Sequence, residues 1–140
     1  MEWTEELSVG HGGIDEQHRQ LIASVNALNA AFTDLAAGDG GDLALARISA
    51  AAAAFLASFQ SHTAYEELIM HQFFYAHVER HAVHHATYLE ALTTLLAGEP
   101  VAAAVRVNLP FINSAVFDHI ERDDRDFGAH LRSIGLYGRV

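Results

Sequence analysis

The chain has 140 residues, 51% of them hydrophobic and 19% charged, the balance of one folded domain and not of a disordered segment. A net charge of −10 argues against a nucleic-acid partner, because phosphate contacts need clustered Lys and Arg. The absence of cysteine excludes disulfides, thiolate metal sites and a thiol nucleophile.

The N-terminal segment Met1-Glu2-Trp3-Thr4-Glu5-Glu6 has neither a basic nor an apolar stretch, so no secretory signal is expected and the cytoplasm is the expected location. A short arm leads to a glycine break at Gly10–Gly13. Asp15 is then placed as the N-cap of a first helix, whose stripe of Leu21, Val25, Leu28 and Phe32 follows helical spacing. That helix should end by Gly38, in the break Gly38-Asp39-Gly40-Gly41. The second helix starts near Asp42 and runs through Ile48, Ala52, Phe55, Phe59, His62, Glu66, Ile69 and Met70. Its least charged part, Ile48–Ala64, includes Ser49, Ser58, Gln60, Ser61 and His62, so a buried helix is expected and no membrane span. A turn is placed near Phe73-Phe74-Tyr75-Ala76. The third helix carries His81, His85, Tyr88, Leu89, Leu92 and Leu96 and stops at Gly98, within the break Gly98-Glu99-Pro100. The fourth occupies part of residues 101–127, where Pro110 either kinks it or starts its main part. Four helical segments with short connections predict an all-α, up-down-up-down four-helix bundle in a single domain over residues 1–140. Without a heptad seam or a large second apolar face, a monomer is expected.

Histidine is the anomaly, with 10 in the chain. Helical residues four apart lie about 40° apart around the axis and can address one point. His62 and Glu66 have that spacing, as do His81 and His85, and His77 overlaps with His81. His18 lies on the stripe of Leu21 and Val25, and His119 on that of Ala115, Val116 and Ile120. Imidazole with carboxylate suits zinc, iron and other divalent metals, so spacing does not choose among them. A lone core histidine is ordinarily a hydrogen-bonded structural residue. Candidates on four helices, with Glu66 and Asp124 among them, are harder to explain that way, because a buried carboxylate needs a cationic partner. His119 and Asp124 are five apart, about 140° on a regular helix, so the fourth helix must loosen or end there, or Asp124 must approach from the flank.

Trp3, Val9-Gly10, Ile14-Asp15-Glu16-Gln17-His18, His62-x-x-x-Glu66-Glu67-x-x-Met70, His81-x-x-x-His85 and His119-Ile120-x-x-x-Asp124 together resemble the bacterial hemerythrins in order and spacing. The resemblance implies two non-haem iron ions joined by an oxo or hydroxo group. It makes His81, His85 and His119 the ligands of one iron, His18 and His62 those of the other, and Glu66 and Asp124 the bridges. It implies reversible binding of O₂ as hydroperoxide for storage, transport or delivery, binding of small anions such as azide, and no enzymatic activity. The alternatives are a sensor of O₂, NO or redox state, or an enzyme acting on peroxide or NO. The family interval from Glu66 to His81 leaves His77 and His84 out of the ligand set. They are expected at the surface or behind the ligands, with His11, His71, His130, Glu67, Asp123 and Asp126. The chain departs from the family at Thr63, where phenylalanine is usual, at Ala115, where tryptophan is usual, and at Ala76, where proline is usual. The first two departures predict a roomier, wetter pocket.

Overall fold

The computed structural model describes residues 1–38, 41–97 and 101–140. The expected breaks at Asp39-Gly40 and Gly98-Glu99-Pro100 therefore lie outside the described residues. The chain forms a short 3₁₀ turn at Glu5–Leu7, then α1 Gly12–Ala36, α2 Gly41–Gln72, α3 Val78–Leu96 and α4 Val101–Asp118. A π-helical turn, His119–Asp123, follows, and α5 Arg125–Ser133 completes the order, with no strand among the described residues.

Two apolar clusters sit one above the other along the bundle. Leu21, Val25, Leu28, Phe55, Phe59, Leu92, Val116 and Ile120 belong to one; Val9, Ile14, Ile69, Met70, Val78, Phe127 and Leu131 belong to the other. Each long helix passes from one cluster to the other, and the direction alternates. Ile14 precedes Leu21 on α1, Phe59 precedes Ile69 on α2, Val78 precedes Leu92 on α3, and Val116 precedes Phe127 on the last path. This is the up-down-up-down bundle. The seven polar candidates lie at the crossing between the clusters on every helix.

The N-terminus of α1 differs from the expectation. The helix begins at Gly12, and His11 is its N-cap, its Nδ1 accepting from the Ile14 amide at 3.3 Å. Asp15 is inside the helix and does not cap it. Its carboxylate accepts from the Val9 amide at 2.9 Å and the Ser8 hydroxyl at 2.6 Å, which ties the N-terminal arm to α1. Gly13 is helical and leaves space that the Tyr65 hydroxyl occupies.

α2 is long and apolar enough by composition to cross a membrane, but much of that apolarity is alanine. Phe55, Phe59, His62 and Glu66 face the core, while Ala50, Ala53, Ala54 and Ala57 are exposed, so the helix is buried on one face only. It ends in a Schellman motif: the Tyr75 amide donates to the Met70 carbonyl at 2.9 Å and the Phe74 amide to the His71 carbonyl at 3.1 Å. Phe74 takes the left-handed position there, with φ of 56°. Tyr75 and Met70, in the same apolar cluster, supply the hydrophobic contact of that motif. The turn thus forms without the family's usual proline. Pro110 lies inside α4 and neither starts nor interrupts it.

Candidate metal centre

The offset of five residues between His119 and Asp124 is resolved by the backbone. The Asp124 amide donates to the His119 carbonyl at 3.2 Å, a π-type bond that inserts one extra residue into the turn. This brings both side chains to one face, and both are fully buried. α5 then continues the path beyond the expected end near residue 127.

His18 from α1, His62 and Glu66 from α2, His81 and His85 from α3, and His119 and Asp124 around the π turn come together as two overlapping sets. In each, the donor atoms lie within 4.8 Å of one another: His18, His62, Glu66, His119 and Asp124 in one, Glu66, His81, His85, His119 and Asp124 in the other. All seven are at most 5% exposed. Glu66, His119 and Asp124 are common to both sets; of these, the two carboxylates each offer two oxygens and could serve two ions. His81 Nε2 is 3.0 Å from both Glu66 Oε2 and Asp124 Oδ1, His85 Nε2 is 3.1 Å from Glu66 Oε2, and His18 Nε2 is 3.0 Å from Asp124 Oδ2.

Many of these atoms have no hydrogen-bond partner: His18 Nδ1 and Nε2, Glu66 Oε1, His85 Nε2, His119 Nδ1 and both oxygens of Asp124. Short distance without bonding geometry is what separates them from an ordinary polar network. His85 is the clearest case. Its Nδ1–H donates to Glu67 Oε1 at 2.8 Å, which turns Nε2 inward to within 3.1 Å of Glu66 Oε2 with no hydrogen bond formed by Nε2. A cation between these two atoms would satisfy both. The outer Nδ1–H of His62 likewise donates to the Gln17 amide oxygen at 3.1 Å. The donor set of imidazoles and carboxylates fits a divalent first-row metal.

Charge balance in the metal-free cluster is consistent with this. Burial pushes the Glu66 carboxyl up, but His62, His81 and the other imidazoles outweigh it and hold it well below the usual range. Burial and Glu66 push Asp124 up, but His119, His18 and His81 hold it at about 2. Burial pulls His81 down, but the carboxylates of Asp124 and Glu66, each 3.0 Å away, raise it to about 10, and Asp124 likewise raises His18. Burial holds His62 down at about 4 and His119 at about 3. His81 thus stands as a protonated imidazole against the two carboxylates.

The residues expected outside the cluster do lie outside it. His71 and His77 are exposed, and His84 stands 3.9 Å from Asp123. His11 is buried as a helix cap, and His130 donates from Nε2 to the Phe73 carbonyl at 2.7 Å; both are structural. Glu67 backs His85. The matching role of Gln17 was missed in the sequence, where its place directly before His18 was the only signal. Thr63 and Ala115 are each 2% exposed, and the Thr63 hydroxyl donates to the Gln60 carbonyl at 3.1 Å. Aromatic cover comes instead from Phe59, 5.4 Å from the His119 ring, and Trp3, 6.3 Å from the His18 ring.

A layer of buried imidazoles and carboxylates between two apolar plugs of a four-helix bundle defines a metal-binding protein of the hemerythrin type. Residues 10–131 match the hemerythrin HHE cation binding domain, and the chain belongs to that family. It is similar to "Bacteriohemerythrin" of Stenotrophomonas maltophilia, 27% identical over 135 residues that cover 94% of this chain and 81% of that protein.

Proposed function

We propose that the cluster holds two non-haem irons and binds O₂ reversibly. In this reading His81, His85 and His119 hold one iron, His18 and His62 the other, and Glu66 and Asp124 bridge them with a solvent-derived oxygen. The observation that carries it is the pair of five-residue donor sets sharing both carboxylates. When bound, the iron pair would supply the two electrons that O₂ takes up on binding. The chain's own residues set the conditions. Gln17 and Glu67 fix the His62 and His85 tautomers with Nε2 inward. Leu21, Val116 and Ile120, each at most 2% exposed, exclude water and give no proton donor beside the site. The reading includes a monomeric, cytoplasmic protein.

The test is metal content together with optical spectra through cycles of O₂ addition and removal. Two irons per chain, oxo-bridge charge-transfer bands and reversible changes without product support the reading; one zinc, or no metal, overturns it. Glu66→Gln and Asp124→Asn are expected to lose iron, and His77→Ala to retain it. Steady turnover of peroxide or NO with a reductant, faster than O₂ exchange, would replace the carrier reading by an enzyme. Thr63→Phe and Ala115→Trp test the pocket. Unchanged azide and O₂ affinities and autoxidation rate in both variants would show that these positions do not shape it.

A further inference from the structure

Two cavities reach the cluster from outside. One, of about 260 Å³, is lined by Gln17, Gln20, Ala57, Ser58, Ser61 and His62, so that apart from the histidine itself its wall is uncharged. The other, of about 330 Å³, opens between the start of α3 and the π turn; His81 forms part of its wall, with His84, Asp123, Asp126 and Arg80.

The second cavity repeats the inner chemistry one step further out. His81 and Asp124 pair inside at 3.0 Å. His84, one turn further along α3, and Asp123, the residue before Asp124, pair outside at 3.9 Å. The His84 side chain is 52% exposed and that of Asp123 is 19% exposed, while His81 is 5% exposed, so the two pairs form a graded series from solvent to core. One oxygen of Asp123 is buried without a partner. Arg122, on the same wall, is 3.7 Å from Asp118, which offsets its charge.

We propose that this cavity is the port through which divalent metal ions enter and leave the centre, with His84 and Asp123 as transit ligands. The proposal rests on the reading of the seven buried residues as the metal ligands. A hydrated dication cannot cross either apolar plug, because it would shed water with nothing to replace it. Through this cavity each water lost is replaced by an imidazole or carboxylate before His81 and Asp124 are reached. The cavity beside His62 offers no anionic group for that exchange.

The experiment mixes the full-length, metal-free protein with Fe(II) under anaerobic conditions and quenches at intervals with a coloured Fe(II) chelator. The same chelator then strips the loaded protein. Asp123→Asn is expected to slow loading about tenfold, the scale of local electrostatic focusing; His84→Ala, which removes a transit ligand but no negative charge, is expected to slow it measurably; and both are expected to slow stripping. The final count should remain two irons per chain. Arg80→Gln, which removes an opposing charge from the wall, is expected to speed loading. Wild-type rates in both His84→Ala and Asp123→Asn overturn the port. So does a comparable slowing by Ser61→Leu, which narrows the other cavity. His84 is exposed, so its variant stays readable if Asp123→Asn fails to fold. A final count in the wild-type protein other than two overturns the metal reading itself, a result distinct from normal loading at unchanged rates.

Discussion

Removing the metal should destabilise the bundle severely, and the structure sets the scale. Two inward-facing atoms have neither a hydrogen bond nor a charge-raised imidazole at bonding distance: Glu66 Oε1 and His85 Nε2. Each buried unsatisfied polar group costs about 1–3 kcal/mol, so the two together cost about 2–6 kcal/mol on the same scale. Mass action agrees: two sites, each saturated at about a hundredfold over Kd, contribute about 5 kcal/mol together. A chain of this length shifts its midpoint by roughly 2–4 °C per kcal/mol. Chelation should therefore lower Tm by about 10–20 °C, and reloading should restore it. Calorimetry on the loaded, chelated and reloaded protein measures this. A drop below about 3 °C, less than about 1.5 kcal/mol on that scale, would refute the reasoning. So would a drop that reloading with Fe(II) does not reverse. Either result would mean that the seven side chains satisfy one another without an ion.

Four further predictions concern the scaffold and its protons. Phe74 holds a left-handed backbone position with its ring 89% exposed, so Phe74→Gly should stabilise the protein by about 0.5–1 kcal/mol, seen as a higher midpoint in chemical denaturation. Asp15→Ala should release the N-terminal arm, because the Val9 and Ser8 donors lose their acceptor; Trp3, the single tryptophan, then reports a red-shifted emission. The metal-free protein should show opposite pH dependences on its two sides. His81, raised from 6.5 to about 10, stabilises fully below its unfolded value, and that stabilisation is lost as pH rises towards 10. Asp124, lowered from 3.8 to about 2, stabilises above 3.8, and that stabilisation is lost as pH falls towards 2. Metal ions compete with the His81 proton, so loading at neutral pH should release protons, which an indicator dye in weak buffer detects; no release, or uptake, contradicts the assignment.

The sequence by itself determined most of the chemistry. Period-3.6 stripes and glycine breaks marked the helices, and the four-residue intervals at His62–Glu66 and His81–His85 follow directly from helix geometry, so both pairs could be read before any fold was known. The five-residue step from His119 to Asp124 also showed that the fourth helix must loosen or end there, or Asp124 approach from the flank, but not which. The backbone takes the first course, as a π turn that brings both side chains to one face. Asp15 reads as a cap, since a short carboxylate before an apolar stripe usually is one. It became a tether only because the fold brings Val9 and Ser8 back over α1. Gln17 and Glu67 look like solvated polar residues until the bundle places His62 and His85 against them. The four-residue pairs are local and periodic, and so are legible in one dimension, while the choice among them came from the family resemblance; the partners behind His62 and His85, the cavity beside His81 and the extra residue in the π turn depend on contacts between helices far apart in sequence, which only the tertiary structure decided.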